Sequence, residues 1–261
     1  MKNSNILRQA AETLYQARQS KKACAPISQT YAVREIRDAY EIQAHNIERS
    51  LSLRDKRTGF KIGLTSEVVQ KQLGVEQPDF GVLLSSMELL DGAEIDTQQL
   101  IRPKVEGEIA FVIGQDIDDK ELSFGALLQS IEYCLPALEV VDSAIENWEI
   151  TITDTIADNA SAALYVLGST PTRLDGLTLE LEGMLVHKNR QLVGTGVGAA
   201  CLGHPLNAVR WLVMTMLELG QPIKAGSVIL SGALGPMIEV QKGDSIELEL
   251  TRLGRVGCVF V

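Results

Sequence analysis

Hydrophobic residues recur at intervals of three or four positions in two stretches near the N-terminus of the chain. The first stretch covers residues 6–18, and the second runs from about residue 33 to residue 52. This spacing places apolar side chains on one side of a helix. The pattern therefore predicts two amphipathic helices, and we expect them to form an N-terminal helical extension over residues 1–55.

Beyond residue 55 the apolar runs become shorter and are separated by turn residues, a pattern that is typical of strands. Residues 61–66 form a short apolar segment that ends in a Ser/Thr turn. Strands are predicted within residues 78–87, 106–114, 135–141, 162–168, 177–187, 191–194, 227–231, 245–251 and 257–261. Further helices are predicted over residues 66–73, 124–134 and 206–219. Because the strands do not alternate regularly with helices, the pattern favours an α+β fold with a β-rich body over residues 56–261.

Composition and charge restrict the classes of partner. The chain has 261 residues, a formal net charge of −10 and an isoelectric point of about 4.9, which argues against nucleic-acid binding. Four widely spaced cysteines without a CxxC pair indicate free thiols in a reducing compartment. The N-terminus lacks the apolar core of a signal peptide, and the sequence has no run of about 18 apolar residues. We therefore expect a cytoplasmic protein that contacts neither nucleic acid nor a membrane.

Three glutamates give the strongest chemical signal. Glu106 and Glu108 flank Gly107 in the apolar stretch RPKVEGEIAFVIG, and Glu139 lies in the apolar stretch LPALEVVDS. Residues i and i+2 of a strand point to one face, so two carboxylates would lie side by side and repel each other when ionised. A divalent cation would stabilise them, and oxygen ligands favour Mg²⁺ or Mn²⁺ over zinc. The missing side chain of Gly107 indicates tight packing on the opposite face.

An alternative interpretation of these glutamates needs no metal. They would then face solvent on an edge strand and pair with Arg102 and Lys104. The apolar surroundings of Glu139 and the nearby Asp142 weigh against this arrangement. The residues alone leave both interpretations open.

Three other polar residues also have two interpretations each. Lys61, within the apolar segment GFKIGLTS, either extends to the surface or acts on the substrate. In the second case it would polarise a carbonyl or enolate oxygen, exchange a proton with it or, with a lowered pKa, form a Schiff base. Asp79 in QPDFG either serves a turn or exchanges a proton. Ser161 in DTIADNAS either belongs to a turn or receives a substrate carboxylate. The glycine-rich segment GTGVGAACLGHP matches no phosphate-binding motif, so we reject nucleotide binding there.

Seven motifs occur in order along the chain, namely KIGLTS, LGVEQPDFG, RPKVEGEIAFVIG, PALEVVDSAIENW, DTIADNAS, GVGAACLGHPLNAVRWL and LSGALGPM. In this combination the sequence resembles the 2-keto-4-pentenoate hydratase and 4-oxalocrotonate decarboxylase family of the fumarylacetoacetate hydrolase superfamily. The resemblance covers nearly the whole chain. It implies a β-rich fumarylacetoacetate hydrolase-like fold with an N-terminal helical extension. It also implies a homo-oligomer, which we expect to form a complex with the next enzyme of the pathway.

The resemblance further implies roles for individual residues. The matching positions are the metal ligands Glu106, Glu108 and Glu139 for Mg²⁺ or Mn²⁺, the catalytic residues Lys61 and Asp79, and the substrate-binding residues Ser161 and Lys61. The implied substrate is a small 2-oxo or 2-hydroxydienoic acid. Many relatives carry an arginine where this chain has Ala144, which leaves the substituent on the substrate open.

The implied reaction adds water to 2-hydroxypenta-2,4-dienoate, the enol tautomer of 2-oxopent-4-enoate, and gives 4-hydroxy-2-oxopentanoate. This step belongs to the meta-cleavage degradation of aromatic compounds. The PDFG and DTIADNAS segments favour hydratases of this short substrate. Two alternatives stay open, namely 4-oxalocrotonate decarboxylase and a catalytically silent partner subunit.

Overall fold

A computed structural model describes residues 4–66, 70, 75 and 77–261 of the chain. Its helices are α1 (Ser4–Ser20), α2 (Ile27–Thr30), α3 (Ile36–Ser52), α4 (Phe124–Ser130), α5 (Ile152–Ala157) and α6 (Pro205–Glu218). None of the described helices is both long enough and apolar enough to cross a bilayer. The helix predicted over residues 66–73 lies largely outside the described residues.

The strands follow one another in short segments after α3. They are β1 (Arg57–Gly63), β2 (Asp79–Leu84), β3 (Glu88–Leu90), β4 (Ala93–Ile95), β5 (Pro103–Ile113), β6 (Ile131–Asp142), β7 (Ala162–Leu167), β8 (Gly183–Lys188), β9 (Gln191–Val197), β10 (Val228–Leu230), β11 (Ile238–Glu239), β12 (Ser245–Leu250) and β13 (Gly254–Phe260). This strand-rich body confirms the α+β prediction.

The two predicted N-terminal helices are present as α1 and α3. Their apolar stripes bury residues such as Leu7 and Leu14 of α1 and Ile42 of α3. These side chains form an apolar cluster that also includes Ile145 and Ile156 from the β-rich part of the chain. The helices therefore pack against the body through a small core of their own. The division at residues 55 and 56 stays a prediction.

The strands form two sheets that pack face to face. The larger sheet has the order β2-β1-β10-β5-β6-β7-β3, with β11 added beside β5, and the smaller has the order β4-β13-β12-β8-β9. The long antiparallel pair of β5 and β6 forms the middle of the larger sheet. A Cβ atom on Gly107 would lie 2.6 Å from the sulfur of Met184 and 2.8 Å from a methyl group of Leu248. The predicted tight packing behind Gly107 is thus the contact between the two sheets.

Several predicted element boundaries differ from the structure, and two of them are wrong by four residues or more. The helix expected over residues 124–134 ends at Ser130, because Ile131 begins β6 and pairs with Ile113 of β5. A strand was also expected from residue 177, but β8 begins only at Gly183 and a 3₁₀ turn covers Leu179–Leu181. Pairing with a distant strand decided the first boundary, and such pairing is invisible to a local pattern.

Candidate active site

The register of β5 and β6 brings the three glutamates together. Glu106 lies directly opposite Glu139, and Glu108 follows two positions later on the same face of β5. One carboxylate oxygen from each residue lies within 4.8 Å of the other two. Glu108 and Glu139 are fully buried, and Glu106 is half-buried. The glutamates therefore form a buried cluster, so the solvent-facing interpretation is wrong.

The two basic residues considered as partners of these glutamates form their ion pairs with another glutamate. Arg102 and Lys104 instead approach Oε1 of Glu239, at 3.9 and 4.0 Å. Lys104 also lies over the ring of Trp148, with its Nζ 4.7 Å from the ring centroid.

The buried carboxylates lack enough hydrogen-bond donors. Gly232 donates its backbone N–H to Oε2 of Glu108 at 2.7 Å. Within the described part of the chain, Oε1 of Glu108 and Oε2 of Glu139 accept no hydrogen bond. Burial raises the pKa of Glu106 to about 7 and also raises the pKa values of Glu108 and Glu139. Partnerless buried oxygens are costly, and three carboxylates at this spacing fit an oxygen-coordinated divalent cation.

Lys61 of β1 lies against this cluster. Its Nζ is 3.2 Å from Oε1 of Glu139 and donates to the backbone oxygen of Ala160 at 3.0 Å. Burial alone would lower the pKa of Lys61, but the charge of Glu139, with smaller contributions from the neighbouring acids, raises it. Lys61 is therefore a buried ammonium, and the surface-directed interpretation of this residue is wrong.

Asp79 is the first residue of β2 and pairs with Gly63 of β1, two positions beyond Lys61. Its side chain is buried, and Oδ1 accepts no hydrogen bond from any described residue. Burial raises the pKa of Asp79 to about 6, while Lys61 opposes this rise. A carboxyl group with this pKa can hold or release a proton close to neutral pH.

Ser161 ends a strained turn between α5 and β7. Asn159, Ala160 and Ser161 have φ angles of 56°, 51° and 56°, in the left-handed region that residues with a Cβ rarely adopt. Ser161 anchors the turn by donating its N–H to the backbone oxygen of Asp158 at 3.0 Å. Its buried Oγ has no hydrogen-bond partner among the residues described. The segment is thus a turn that also presents an unpaired hydroxyl group, and its binding of a substrate carboxylate stays a prediction.

A cavity of about 400 Å³ unites these groups. Lys61, Asp79, Glu106 and Ser161 line its polar part. Much of the remaining wall is apolar and includes Val141, Trp148, Ile150, Pro236 and Met237. The cavity therefore combines a charged end with an apolar wall, as expected for a small organic anion.

Ala144 lies behind the site, within the apolar cluster of the N-terminal helices. Its N–H donates to Oδ2 of Asp158 at 2.8 Å, and the guanidinium of Arg18 binds the same carboxylate. Ala144 does not belong to the described lining of the cavity. Ala144, where many relatives carry an arginine, thus supports the turn through its backbone N–H.

Two residues of α3 that were not predicted as site residues also contact this region. Tyr40 and Gln43 approach the backbone of Phe80, the neighbour of Asp79. The sequence contains an indication of this contact, because Gln43 lies on the same side of α3 as the apolar residues Ile36, Tyr40 and Ile47. A buried amide in such a stripe needs a partner.

Sequence comparison agrees with this geometry. Residues 64–261 match the family described as Fumarylacetoacetate (FAA) hydrolase C-terminal. The chain is 50% identical over 252 residues to the 2-keto-4-pentenoate hydratase of Paraburkholderia xenovorans (strain LB400), covering 97% of this chain and 94% of that protein. It is 48% identical over 257 residues to the TodF product hydratase of Pseudomonas putida strain F1, covering 98% of this chain and 96% of that protein.

Structural comparison gives a decarboxylase as a neighbour. The 4-oxalocrotonate decarboxylase from Pseudomonas putida G7, complexed with magnesium and adipate, superposes with a TM-score of 0.93 at 32% identity. The match covers 100% of this chain and 99% of that one. A metal-bound neighbour of nearly identical fold is consistent with the capacity of the glutamate cluster to hold a divalent cation. Together with the sequence match, this fold places the chain in the fumarylacetoacetate hydrolase family.

Proposed function

We propose that this protein is a hydro-lyase that adds water to 2-hydroxypenta-2,4-dienoate and releases 4-hydroxy-2-oxopentanoate. One observation carries the proposal. Lys61, Asp79, Glu106 and Ser161 line one cavity, and Lys61 contacts Glu139 of the same carboxylate cluster. The relatives at about half identity over nearly the full chain are hydratases, which supports the same assignment.

We assign Glu106, Glu108 and Glu139 as ligands of Mg²⁺ or Mn²⁺. The assignment rests on the mutual distances of the carboxylates and on their partnerless buried oxygens. A bound divalent cation supplies positive charge that stabilises an anionic oxygen of a 2-oxo acid or its enol.

We assign Lys61 and Ser161 to substrate binding. The Lys61 ammonium is held between Glu139 and the backbone oxygen of Ala160, so its charge faces the cavity at a fixed position. It would stabilise the oxygen on C2 as the enol becomes a ketone. The unpaired hydroxyl of Ser161 would donate to the C1 carboxylate.

We assign Asp79 as the acid–base residue. A proton added at C5 and the proton lost from the C2 hydroxyl give the conjugated ketone 2-oxopent-3-enoate. Water then adds its oxygen to C4, and C3 takes up a proton. Asp79 would exchange protons in these steps because burial raises its pKa to about 6.

The chemistry of the lining favours hydration over decarboxylation of 4-oxalocrotonate. That substrate carries a second carboxylate at its far end. Among the described lining residues, Lys61 is the only cationic side chain, and the wall beyond it is largely apolar. A second carboxylate would therefore lie against apolar groups without a cation, which is unfavourable.

An assay of the purified protein with Mg²⁺ and freshly generated dienol tests the proposal. We expect loss of the dienol absorbance and formation of 4-hydroxy-2-oxopentanoate, identified by NMR, without release of CO₂. Glu106→Gln should abolish turnover while the protein stays folded, whereas Glu94→Gln on the exposed part of β4 should not change it. Release of CO₂ from 4-oxalocrotonate would favour the decarboxylase, and inactivity towards both substrates would contradict an enzymatic role.

We also propose a cellular location and two kinds of assembly for this protein. The protein works in the cytoplasm, which its free cysteines support. It assembles as a homo-oligomer, and it associates with the next enzyme of its pathway. Analytical ultracentrifugation of the purified protein, alone and with that enzyme, measures both kinds of assembly.

A further inference from the structure

The strand that carries Asp79 has an outer edge closed by side chains instead of by another strand. β2 is the last strand of the larger sheet, and β1 pairs with its inner edge. An edge strand presents backbone N–H and C=O groups that need partners when they are buried. Here the partners of these groups come from α3 and from the turn that contains Ser161.

Both backbone groups of Phe80 bind side chains of α3. The N–H of Phe80 donates to the hydroxyl of Tyr40 at 3.2 Å, and its C=O accepts from Nε2 of Gln43 at 3.0 Å. The rings of Tyr40 and Phe80 also stack, with centroids 4.5 Å apart. The residue that follows Asp79 is thus fixed at three points by one helix.

The amide of Gln43 reaches a second element as well. Nε2 donates to the backbone oxygen of Ile156 at 3.0 Å. Ile156 belongs to α5, which leads directly into the strained turn of Asn159, Ala160 and Ser161. Gln43 is only 4% exposed, so these bonds are shielded from water. One buried amide therefore links the strand of Asp79 to the helix that precedes Ser161.

The turn closes the same edge at Val82. Asn159 accepts from the N–H of Val82 at 2.7 Å and donates to the C=O of Val82 at 2.9 Å. Its side chain thus takes the place of a neighbouring strand. A Cβ atom on Gly81 would lie 2.4 Å from the backbone oxygen of Asn159, so only glycine permits this approach. The edge contacts connect Asp79 and Ser161 without involving β5 or β6, which carry the glutamates.

We propose that Tyr40 and Gln43 are positioning residues, which hold Asp79 and the Ser161 turn at the separation that proton transfer to the bound substrate requires. The proposal rests on the proposed hydratase function for its catalytic consequence. It assigns a role in the reaction to α3, which lies outside the residues matched by the family description. Misplacement of a reacting group by about 1 Å can cost about 100-fold in rate.

The test removes the hydrogen bonds while keeping the size of the side chains. Gln43→Met eliminates both bonds of the amide, and Tyr40→Phe eliminates the bond to Phe80 while preserving the stacked ring. We expect kcat to fall by about 10-fold to 100-fold in Gln43→Met and by several-fold in Tyr40→Phe. KM should change less than kcat, the acid limb of the pH profile should move, and the affinity for Mg²⁺ should be unchanged.

A matched control separates positioning from general stability. Asn46 of α3 donates from Nδ2 to the backbone oxygen of Ala11 at 2.9 Å, a bond between α3 and α1 that does not reach β2. Asn46→Leu should lower the melting temperature and leave kcat unchanged. Tyr40→Phe keeps the shape of the core, so it remains a valid test if Gln43→Met fails to fold.

Hydrogen–deuterium exchange gives a readout that does not depend on activity. We expect faster exchange in residues 79–84 and 156–161 of Gln43→Met than in the wild type, and no such change in Asn46→Leu. If the wild type fails to hydrate the dienoate, the proposed function is wrong. The exchange data would still show whether Gln43 holds the two segments in place. Unchanged kcat in both Gln43→Met and Tyr40→Phe, in a wild type that is active, would overturn the positioning role.

Discussion

Lys61 and Glu139 form a buried ion pair in which Nζ and Oε1 are 3.2 Å apart. The two residues lie on different strands of the larger sheet, β1 and β6, with β10 and β5 between them. Since Lys61 occupies one oxygen of Glu139, the other oxygen stays available to a ligand. The ion pair therefore connects the ammonium group of Lys61 to the carboxylate cluster.

Removal of divalent metal should destabilise the protein. EDTA removes the divalent cation, so the clustered carboxylates of Glu106, Glu108 and Glu139 repel one another. A cation present at 100 times its Kd would stabilise the folded state by about 2.7 kcal/mol. We expect the melting temperature to rise on addition of Mg²⁺ to EDTA-treated protein, measured by differential scanning fluorimetry. Glu108→Gln should lose this response. An equal Mg²⁺ response in Glu108→Gln and wild type would contradict the assignment of Glu108.

Loss of the Lys61 charge should reduce both turnover and stability. Lys61→Met removes the cation that contacts Glu139 and leaves a buried carboxylate without it. We expect kcat to fall by at least about 100-fold. Breaking one side of a buried ion pair costs about 3–5 kcal/mol, so urea unfolding in EDTA should detect a large loss. Mg²⁺ should recover part of this stability but not the turnover. Recovery of turnover by Mg²⁺ would show that Lys61 has no role in the reaction.

Asp79 should make the metal-free protein less stable as the pH rises. Its folded pKa of about 6 exceeds the value of about 3.9 expected in the unfolded chain. The folded state therefore binds more protons between these values, and stability from this group is lost as pH increases from about 4 to about 6. At 1.36 kcal/mol per unit, the loss is about 3 kcal/mol.

Asp79→Asn provides the comparison for this pH effect, because the amide cannot ionise. Urea unfolding in EDTA at several pH values should show that the variant lacks the fall in stability that is due to Asp79. Parallel curves for the two proteins would refute the raised pKa.

Arg18 should couple α1 to the turn near the site. Its guanidinium donates to both carboxylate oxygens of Asp158, at 3.0 and 2.9 Å, and to the backbone oxygen of Asp142. Arg18 is partly exposed and Asp158 is buried, so we expect Arg18→Met to cost about 2 kcal/mol in unfolding free energy. Asp158→Asn in the same chain should reduce that cost, which a double-mutant cycle measures.

The pair of Arg49 and Glu12, in which neither residue is buried, is the control for this cycle. The two side chains are 37% and 47% exposed, so Glu12→Gln should cost less than about 1 kcal/mol. If loss of Arg18 cost no more than loss of this surface pair, the coupling between α1 and the turn would be refuted.

Much of the fold could be predicted because local patterns express it. The helical repeat of α1 and α3 and the apolar runs of the strands follow from the need to bury one face of each element. The end of α4 could not be predicted, because residues 131–134 join the long pairing with β5 instead of continuing the helix. Side-chain closure of β2 by Tyr40 and Gln43 also escaped prediction, since it depends on which edge of the sheet faces α3.

The sequence by itself determined the chemical groups of the site. Carboxylates and a lysine within apolar segments had to be paired, hydrated or bound to a ligand, whatever the fold. Tertiary structure alone decided between the alternatives. The register of β5 and β6 set Glu106 opposite Glu139, and the sheet brought Lys61 to within 3.2 Å of the latter. Distances between residues far apart in the chain depend on strand order and packing, which no local pattern encodes.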